Sequence, residues 1–460
     1  MSKLDIFESA GIDFIIKNLD ISSPITQRYI RSKKFKSVIK SQKKIQKHLN
    51  AISKVLDAEE KYIQNIKLSL SHLPDIHTTI ERLINKNILD EIELFEIKVF
   101  SIYIQEITIT LRRAKLYRTF PFPDLEKVIE ILDPEGLRIP TFYIYSAYSK
   151  ELLEIRKKKD ITNDEKELTE ILQREKELES QICHKLSAEL EKYAINLLKS
   201  YNLVIFLDLT IAKSFLTKKL NLTKPEFSKD NSIYLEKLFN PEISENLKKL
   251  NLKFQPINIT LKPGVQAITG ANMGGKTVLL KTIALCQLLF QMGFFVPAQK
   301  AILPLYDEIT LLSGDFQSIS SGLSSYASEM IIINSIYKKL KKGKVMLVLL
   351  DEPARTTNPT EGKAIVSALL NLFSKNNSCT VITTHFDGAI PENVRHLRVK
   401  GLKELNKKIT LKTIQKYFDY SIEEVNNNEN IPKEAIKIAR ILGIDKDIIK
   451  EAEEVLRYEK

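Results

Sequence analysis

Residues Gly270 to Thr277 read Gly-Ala-Asn-Met-Gly-Gly-Lys-Thr, and residues Val345 to Glu352 read Val-Met-Leu-Val-Leu-Leu-Asp-Glu. The first string has two glycines bracketing four residues, followed by Lys and Thr, which is the pattern of a phosphate-binding loop. Glycines let successive backbone N–H groups turn toward a β-phosphate, Lys276 sets a positive charge against the β and γ oxygens, and the Thr277 hydroxyl is a Mg²⁺ ligand. In the second string, Asp351 would hold the Mg²⁺ shell, and Glu352 would orient or deprotonate an attacking water. Acidic pairs at strand ends are common turn formers, so the second string is weak by itself. Joined to the first, it specifies binding and hydrolysis of ATP.

Those groups have to be placed by a strand, a loop and a helix in sequence. Residues 265–269 form a short apolar strand, and residues 277–292 an apolar helix stopped by Gly293. Residues 345–350 are all apolar and read as a buried strand, whose carboxyl end is where open α/β sheets bind ligands. Residues 380–383 are a further short strand, followed by His385 in Thr-Thr-His-Phe. That histidine is placed to touch a γ-phosphate or the water beside it, although a lone histidine is more often structural. Ser321-Gly-Leu-Ser-Ser-Tyr-Ala-Ser-Glu-Met330 opens a helical stretch running to Lys342 and stopped by Gly343. A helix start rich in free N–H groups is an anion site that the chain's own phosphate loop does not need, which leaves it for the nucleotide of a second subunit.

Four strings together carry a resemblance. Ile-Thr-Gly-Ala-Asn-Met-Gly-Gly-Lys-Thr, the serine-rich segment ending in Ser-Glu-Met, Leu-Asp-Glu-Pro-Ala-Arg-Thr-Thr-Asn-Pro-Thr-Glu-Gly and Thr-Thr-His-Phe resemble, in order and spacing, the ATPase motifs of the MutS mismatch-repair family. The resemblance implies an α/β ABC-type (P-loop) ATPase domain joined to an N-terminal all-α lever and clamp domain. It implies a dimer, with an identical or a related subunit, in which ATP and Mg²⁺ sit between one phosphate loop and the other subunit's signature serine, here Ser324. By the same resemblance Gly270, Asn272, Met273, Gly274, Gly275, Lys276 and Thr277 surround the phosphates. Lys276, Glu352 and His385 would be catalytic, with Thr277 and Asp351 on the metal. Phe254, in Phe-Gln-Pro-Ile-Asn, would stack on adenine; its other reading is a core aromatic. Leu19-Asp-Ile-Ser-Ser-Pro-Ile-Thr26 and Phe206-Leu-Asp-Leu-Thr-Ile-Ala212 are more weakly similar to the entry to the family's helical core and to its return.

The expected organisation is a helical core, lever and clamp over residues 1–200, the ATPase domain over 201–425, and a helical dimerisation element over 426–460. Apolar residues at three and four spacing predict helices over 36–56, 59–70 and 89–116, and a charged amphipathic helix over 165–198. The polar stretch 156–165 reads as a turn, which makes 143–201 a projecting hairpin, the clamp by resemblance. Asn426 to Asn430 with Pro432 read as a linker before the terminal helices.

Two departures from the repair proteins bear on the client. Ahead of the core no mismatch-reading domain or connector is expected, and no nuclease-like tail behind it. After Asp-Glu the chain has Pro353-Ala-Arg355-Thr-Thr-Asn358-Pro359-Thr-Glu361-Gly362 where the repair proteins have an aliphatic residue and Gly-Arg-Gly-Thr-Ser-Thr. This form is similar to a MutS-related branch linked to lysine 5,6-aminomutase, whose members are thought to help reactivate that adenosylcobalamin enzyme. The loop leans slightly toward such a client; the alternative is a paralogue acting on duplex, branched or mismatched DNA.

The net charge of +12 invites a nucleic-acid reading, but its distribution tempers it. Residues 1–50 hold 11 basic and 4 acidic side chains, whereas residues 151–200, the presumed clamp, hold 10 basic and 12 acidic. Phosphate neutralisation dominates non-specific DNA affinity, so a clamp without basic excess should grip DNA poorly. The tract Arg31-Ser-Lys-Lys-Phe-Lys36 reads first as a solvated helix face and second as a phosphate contact. With 43% hydrophobic residues and no apolar run near eighteen long, no membrane segment is expected. No export signal is expected, and the isolated Cys183, Cys286 and Cys379 would fit a reducing cytoplasm.

Overall fold

The three-and-four spacing of apolar residues in the N-terminal half becomes helices, and the continuous apolar runs of the C-terminal half become a parallel sheet. A computed structural model describes residues 6–139, 143–162, 164–270, 274–313, 325–402, 417–425, 435–441 and 443–458. The chain divides into two units, one of Leu19–Ser37 and Asn50–Leu216, the other of Met1–Asn18, Val38–Leu49 and Thr217–Lys460.

In the first unit every regular element among the described residues is a helix. Helix Glu91–Arg113 starts on a reciprocal cap: the Asp90 carboxylate accepts from the Glu93 N–H, and the Glu93 side chain accepts from the Asp90 N–H. Its Leu94, Ile97, Phe100 and Ile104 share one buried cluster with Ile63, Ile66 and Leu70 of helix Glu60–Ser71 and with Leu197, Val204 and Leu207 of helix Ala194–Leu220. Buried Lys98 is satisfied by Asp133 at 3.0 Å and the Tyr145 hydroxyl at 2.8 Å. Buried Asp208 accepts from the Ser22 and Ser23 N–H groups, which ties the segment entering helix Pro24–Arg31 to the helix returning from this core.

Within the helical stretch Glu165–Leu220 the most apolar 18-residue window has mean hydropathy 1.3, and more than half of it is buried inside the protein. Two expectations change here. Residues 31–36 are not a helix face: helix Pro24–Arg31 ends, and a turn follows in which Phe35 is buried and stacks edge-on to Tyr29 at 6.1 Å. Arg31, Lys33 and Lys34 point outward from it and form no ion pair among the described residues. The polar stretch 156–165 is a turn only after Lys159, because helix Lys150–Lys159 keeps going where its cations meet acids on the antiparallel helix Glu165–Leu190. Arg156 binds Glu175 at 2.9 Å and Glu179 at 2.8 Å, and Lys159 binds Glu175 at 2.7 Å.

The second unit holds two sheets. The strands are β1 (Glu226–Phe227), β2 (Ile233–Leu238), β3 (Ile257–Leu261), β4 (Gly264–Thr269), β5 (Lys300–Leu303), β6 (Glu308–Leu312), β7 (Met346–Leu350), β8 (Cys379–Thr383), β9 (Arg395–Leu402) and β10 (Phe418–Glu424). The smaller sheet has the order β1-β5-β2-β3, the larger β10-β9-β4-β8-β7-β6. From β9 to β6 the larger sheet is parallel, and β10 closes it antiparallel to β9. β7 and β8 are buried along their whole length, as expected of strands covered on both faces. The carboxyl ends of β4, β8 and β7 therefore lie side by side on one edge, in the order that brings the phosphate loop beside the histidine strand and that strand beside the acidic one.

Helix Lys276–Gln291 follows the phosphate loop and is almost wholly buried. Its two buried glutamines each donate to a backbone carbonyl. Gln287 donates to the Pro304 carbonyl at 2.8 Å and Gln291 to the Tyr306 carbonyl at 2.9 Å, while the Gln291 carbonyl accepts from the Ile39 N–H at 2.7 Å. The Ile39 N–H is thus taken up outside a helix, residues 37–41 form no regular element, and the helix expected from Lys36 begins instead at Gln42.

Candidate functional site

β4 delivers the phosphate loop and the loop delivers Lys276. Gly270 has φ 144° and Gly275 φ 79°, conformations that L side chains rarely adopt. A Cβ at Gly275 would also stand 3.1 Å from the Tyr420 ring of β10, so only glycine lets the loop pass beneath that ring. The Lys276 side chain is 5% exposed; its ammonium donates to the Gly270 carbonyl at 2.8 Å and lies 3.2 Å from Glu352 Oε1. A buried ammonium needs such partners, and phosphate oxygens are what it would exchange them for.

One residue later the Thr277 hydroxyl donates to Asp351 Oδ2 at 2.6 Å. The other Asp351 oxygen accepts from the Thr383 hydroxyl at 2.9 Å, and the same Thr383 oxygen accepts from the Glu352 N–H at 2.9 Å. Thr383 therefore links the end of β8 to both acids at the end of β7. His385 Nδ1 lies 3.7 Å from Glu352 Oε2, and its ring rests against Phe386 at 4.4 Å. The acidic turn is held in an uncommon backbone conformation, with φ 48° at Glu352 and φ 62° at Ala354. For residues other than glycine each such angle costs roughly 1–3 kcal/mol, and such angles cluster at functional sites.

The structure thus brings Gly270, Gly274, Gly275, Lys276, Thr277, Asp351, Glu352 and His385 to one sheet edge. Asn272, Met273 and Ser324 lie outside the described residues, as do residues 426–434 of the expected linker. Phe254 is half-buried, and its neighbour Gln255 donates to Asp419 at 2.8 Å and accepts from the Tyr420 N–H at 3.3 Å. The segment carrying Phe254 is therefore tied to the strand whose Tyr420 abuts the phosphate loop. The Asn358 side chain caps helix Pro359–Phe373 by accepting from the Thr360 N–H, so in this structure it is engaged within its own chain.

Sequence reasoning quoted Thr383 and Glu329 within motifs but gave them no role, and it did not mention Tyr420; the Glu329 carboxylate accepts from the Ala354 N–H at 3.1 Å. Thr383 had a signal, standing two residues before His385. Tyr420 had none, because its approach to Gly275 depends on β10 returning alongside β9.

The donor set fits a magnesium-bound nucleoside triphosphate. Among the described residues no three His, Cys, Asp or Glu side chains cluster as a metal cage. A single carboxylate beside a hydroxyl is the set expected of Mg²⁺, which keeps waters and takes further oxygens from substrate phosphates.

The model of the family described as MutS domain V matches residues 266–458, from within β4 to the last helix. Over that range the chain is similar to MutS-family proteins. Curated relatives carry the name Endonuclease MutS2. That of Caldanaerobacter subterraneus is 32% identical over 310 residues, covering 65% of this chain and 37% of its own length. That of Ligilactobacillus salivarius is 31% identical over 290 residues (61% and 34%), and that of Caldicellulosiruptor saccharolyticus 28% identical over 352 residues (72% and 42%). The chain spans about a third to two fifths of the length of these relatives. MutS domain V is a domain of ATPases, and its matched range contains every described phosphate-loop, acidic and histidine group discussed above.

Proposed function

We propose that this chain hydrolyses ATP as a dimeric MutS-type switch and uses the nucleotide cycle to engage DNA. The observation that carries the reading is the convergence of Lys276, Thr277, Asp351, Glu352 and His385 at the carboxyl ends of three adjacent parallel strands. In this reading, phosphate-loop N–H groups and Lys276 bind the β- and γ-phosphates. Thr277 and Asp351 would hold Mg²⁺, which would supply positive charge against the phosphates. Glu352 orients the water and accepts its proton as the water oxygen bonds to the γ-phosphorus. The bond from that phosphorus to the β–γ bridging oxygen breaks, ADP leaves with the electron pair, and the proton passes from Glu352 to solvent. His385 orients the Glu352 carboxylate or the water itself. Phe254 stacks on adenine, and Ser324 of a second subunit, identical or related, closes the site. The C-terminal helices Ala435–Ile441 and Lys446–Tyr458 serve dimerisation, with Ile448 and Val455 exposed for that purpose.

Two observations support DNA as the client: the relatives are named endonucleases, and Arg31, Lys33 and Lys34 point outward. One observation supports a protein client, such as an adenosylcobalamin-dependent aminomutase. Three cations of the helical hairpin, Arg156, Lys159 and Arg174, are already paired with its own glutamates. Fluorescence anisotropy of labelled duplex, mismatched and branched DNA at physiological salt, with and without a non-hydrolysable ATP analogue, separates the two. Nucleotide-dependent binding that Lys276→Ala removes supports the DNA reading. Absence of binding by a chain that hydrolyses ATP sinks it in favour of a protein client.

A further inference from the structure

The acidic turn after β7 has two residues with positive φ, and each has its N–H tied down by a side chain from elsewhere. Thr383 holds that of Glu352, as described. Ala354 has its N–H held at 3.1 Å by Glu329, a glutamate of helix Ser325–Lys341 that is only 6% exposed. Burial pushes the Glu329 carboxyl above its ordinary pKa, while the Ala354 N–H and the charge of Arg355 pull it back down. On the other side, the Ala354 carbonyl presses on Gly362, where a Cβ would come within 3.1 Å of it and 2.6 Å of the Phe386 ring. Ala354 is itself completely buried. The turn is thus clamped from two directions, by a carboxylate on one helix and by the glycine surface of another.

We propose that Glu329 is a positioning residue for ATP hydrolysis: by accepting the Ala354 N–H, it holds the Asp351–Ala354 turn in the conformation that aims the Glu352 carboxylate. This rests on the ATPase reading above. Glu329 holds the Ala354 N–H, whereas Lys276 and Asp351 are engaged by the Gly270 carbonyl and the Thr277 hydroxyl, so its loss acts on Glu352 geometry and leaves the phosphate-binding groups in place. The role requires an acceptor oxygen at that point and no charge. A glutamine supplies the oxygen; an alanine does not.

The test measures steady-state turnover, binding of a fluorescent ATP analogue and thermal unfolding of the full chain as wild type, Glu329→Ala and Glu329→Gln. Glu329→Ala is expected to lower kcat at least roughly tenfold, since a misplacement near 1 Å can cost about a hundredfold, with the nucleotide Kd within about threefold of wild type. Glu329→Gln is expected to recover most of that loss. Wild-type kcat in Glu329→Ala, or equal losses in both variants, would overturn the assignment. So would a loss of nucleotide binding that parallels the loss of turnover. If Glu329→Ala does not fold, Glu329→Asp, which withdraws the acceptor by one methylene, replaces it: reduced kcat with intact binding supports the role, and unchanged kcat overturns it. A wild-type chain that does not turn over ATP sinks the ATPase reading and this inference together. A turning-over wild type with an indifferent Glu329→Ala sinks only the inference.

Discussion

Charge is dense in two regions of this molecule and does different things in each. In the helical hairpin of Lys150–Lys159 and Glu165–Leu190, cations and acids are closed into pairs: Arg156 with Glu175 and Glu179, Lys159 with Glu175, Arg174 with Glu151 and Glu177. At the edge of the six-stranded sheet two cationic or titratable side chains converge on one carboxylate. Lys276 and Glu352 stand at 3.2 Å, His385 and Glu352 at 3.7 Å, and the acidic turn is kept in a strained conformation. The first arrangement is complete without a ligand. The second has polar groups whose best partners would be phosphate oxygens, a metal ion and a water. Charge density alone does not distinguish structure from site; the state of pairing does.

The comparison can be broken most decisively at Glu352. Glu352→Gln should lower ATP turnover by about 10²–10⁴-fold, the range typical of a general base, while nucleotide binding persists. Single-turnover kinetics and analogue binding check both, and unchanged turnover would remove Glu352 from the chemistry. Next in size, Lys276→Ala should weaken nucleotide binding by at least about a hundredfold, or about 2.7 kcal/mol, read by titration of a fluorescent ATP analogue.

The hairpin should answer the opposite way. Arg156→Gln is expected to cost about 1–3 kcal/mol of stability, seen in denaturant unfolding and in faster amide exchange over 150–190, with ATP turnover unchanged. Its acid partner fixes the pH dependence. Burial tends to raise the Glu175 pKa, but hydrogen bonds from Lys159 and Arg156 outweigh it and hold the carboxyl below its ordinary 4.5. The folded pKa is depressed, so this stabilisation is present above pH 4.5 and is lost as pH falls through the lowered folded value. Arg156→Gln should therefore narrow the stability gap to wild type in acid. The smallest expected effect falls on the turn after helix Pro24–Arg31. Lys33→Glu with Lys34→Glu should weaken DNA binding by roughly tenfold and reduce the salt slope by about 2, leaving ATP turnover alone. Equal DNA affinity in the double variant would move the search to another surface.

Some of this was readable before any coordinates, and the reasons are physical. Backbone-directed patterns survive translation from sequence to structure because they depend on local residues: the glycines and Lys276 of the loop, the apolar run of β7 and the stops at Gly293 and Gly343. What misled were polar stretches. Arg156 to Lys159 read as a turn because isolated cations favour solvent, and they are helical because Glu175 and Glu179 wait sixteen or more residues away. Apolar spacing carries the expected helix back to Lys36, but residues 37–41 form no regular element, and the Ile39 N–H goes to the Gln291 carbonyl.

The sequence by itself determined the chemistry available here: a phosphate-binding loop, a metal-binding pair, a carboxylate for water and a histidine, each at the end of an element whose periodicity announces it. Tertiary structure alone decided their mutual reach. The strand order β4-β8-β7 inserts Thr383 between Asp351 and Glu352, β10 lays Tyr420 over Gly275, and helix Ser325–Lys341 carries Glu329 to the Ala354 N–H. These contacts join residues 25 to 145 positions apart, and no local pattern specifies them, because they follow from which strands pair and which helices cover them.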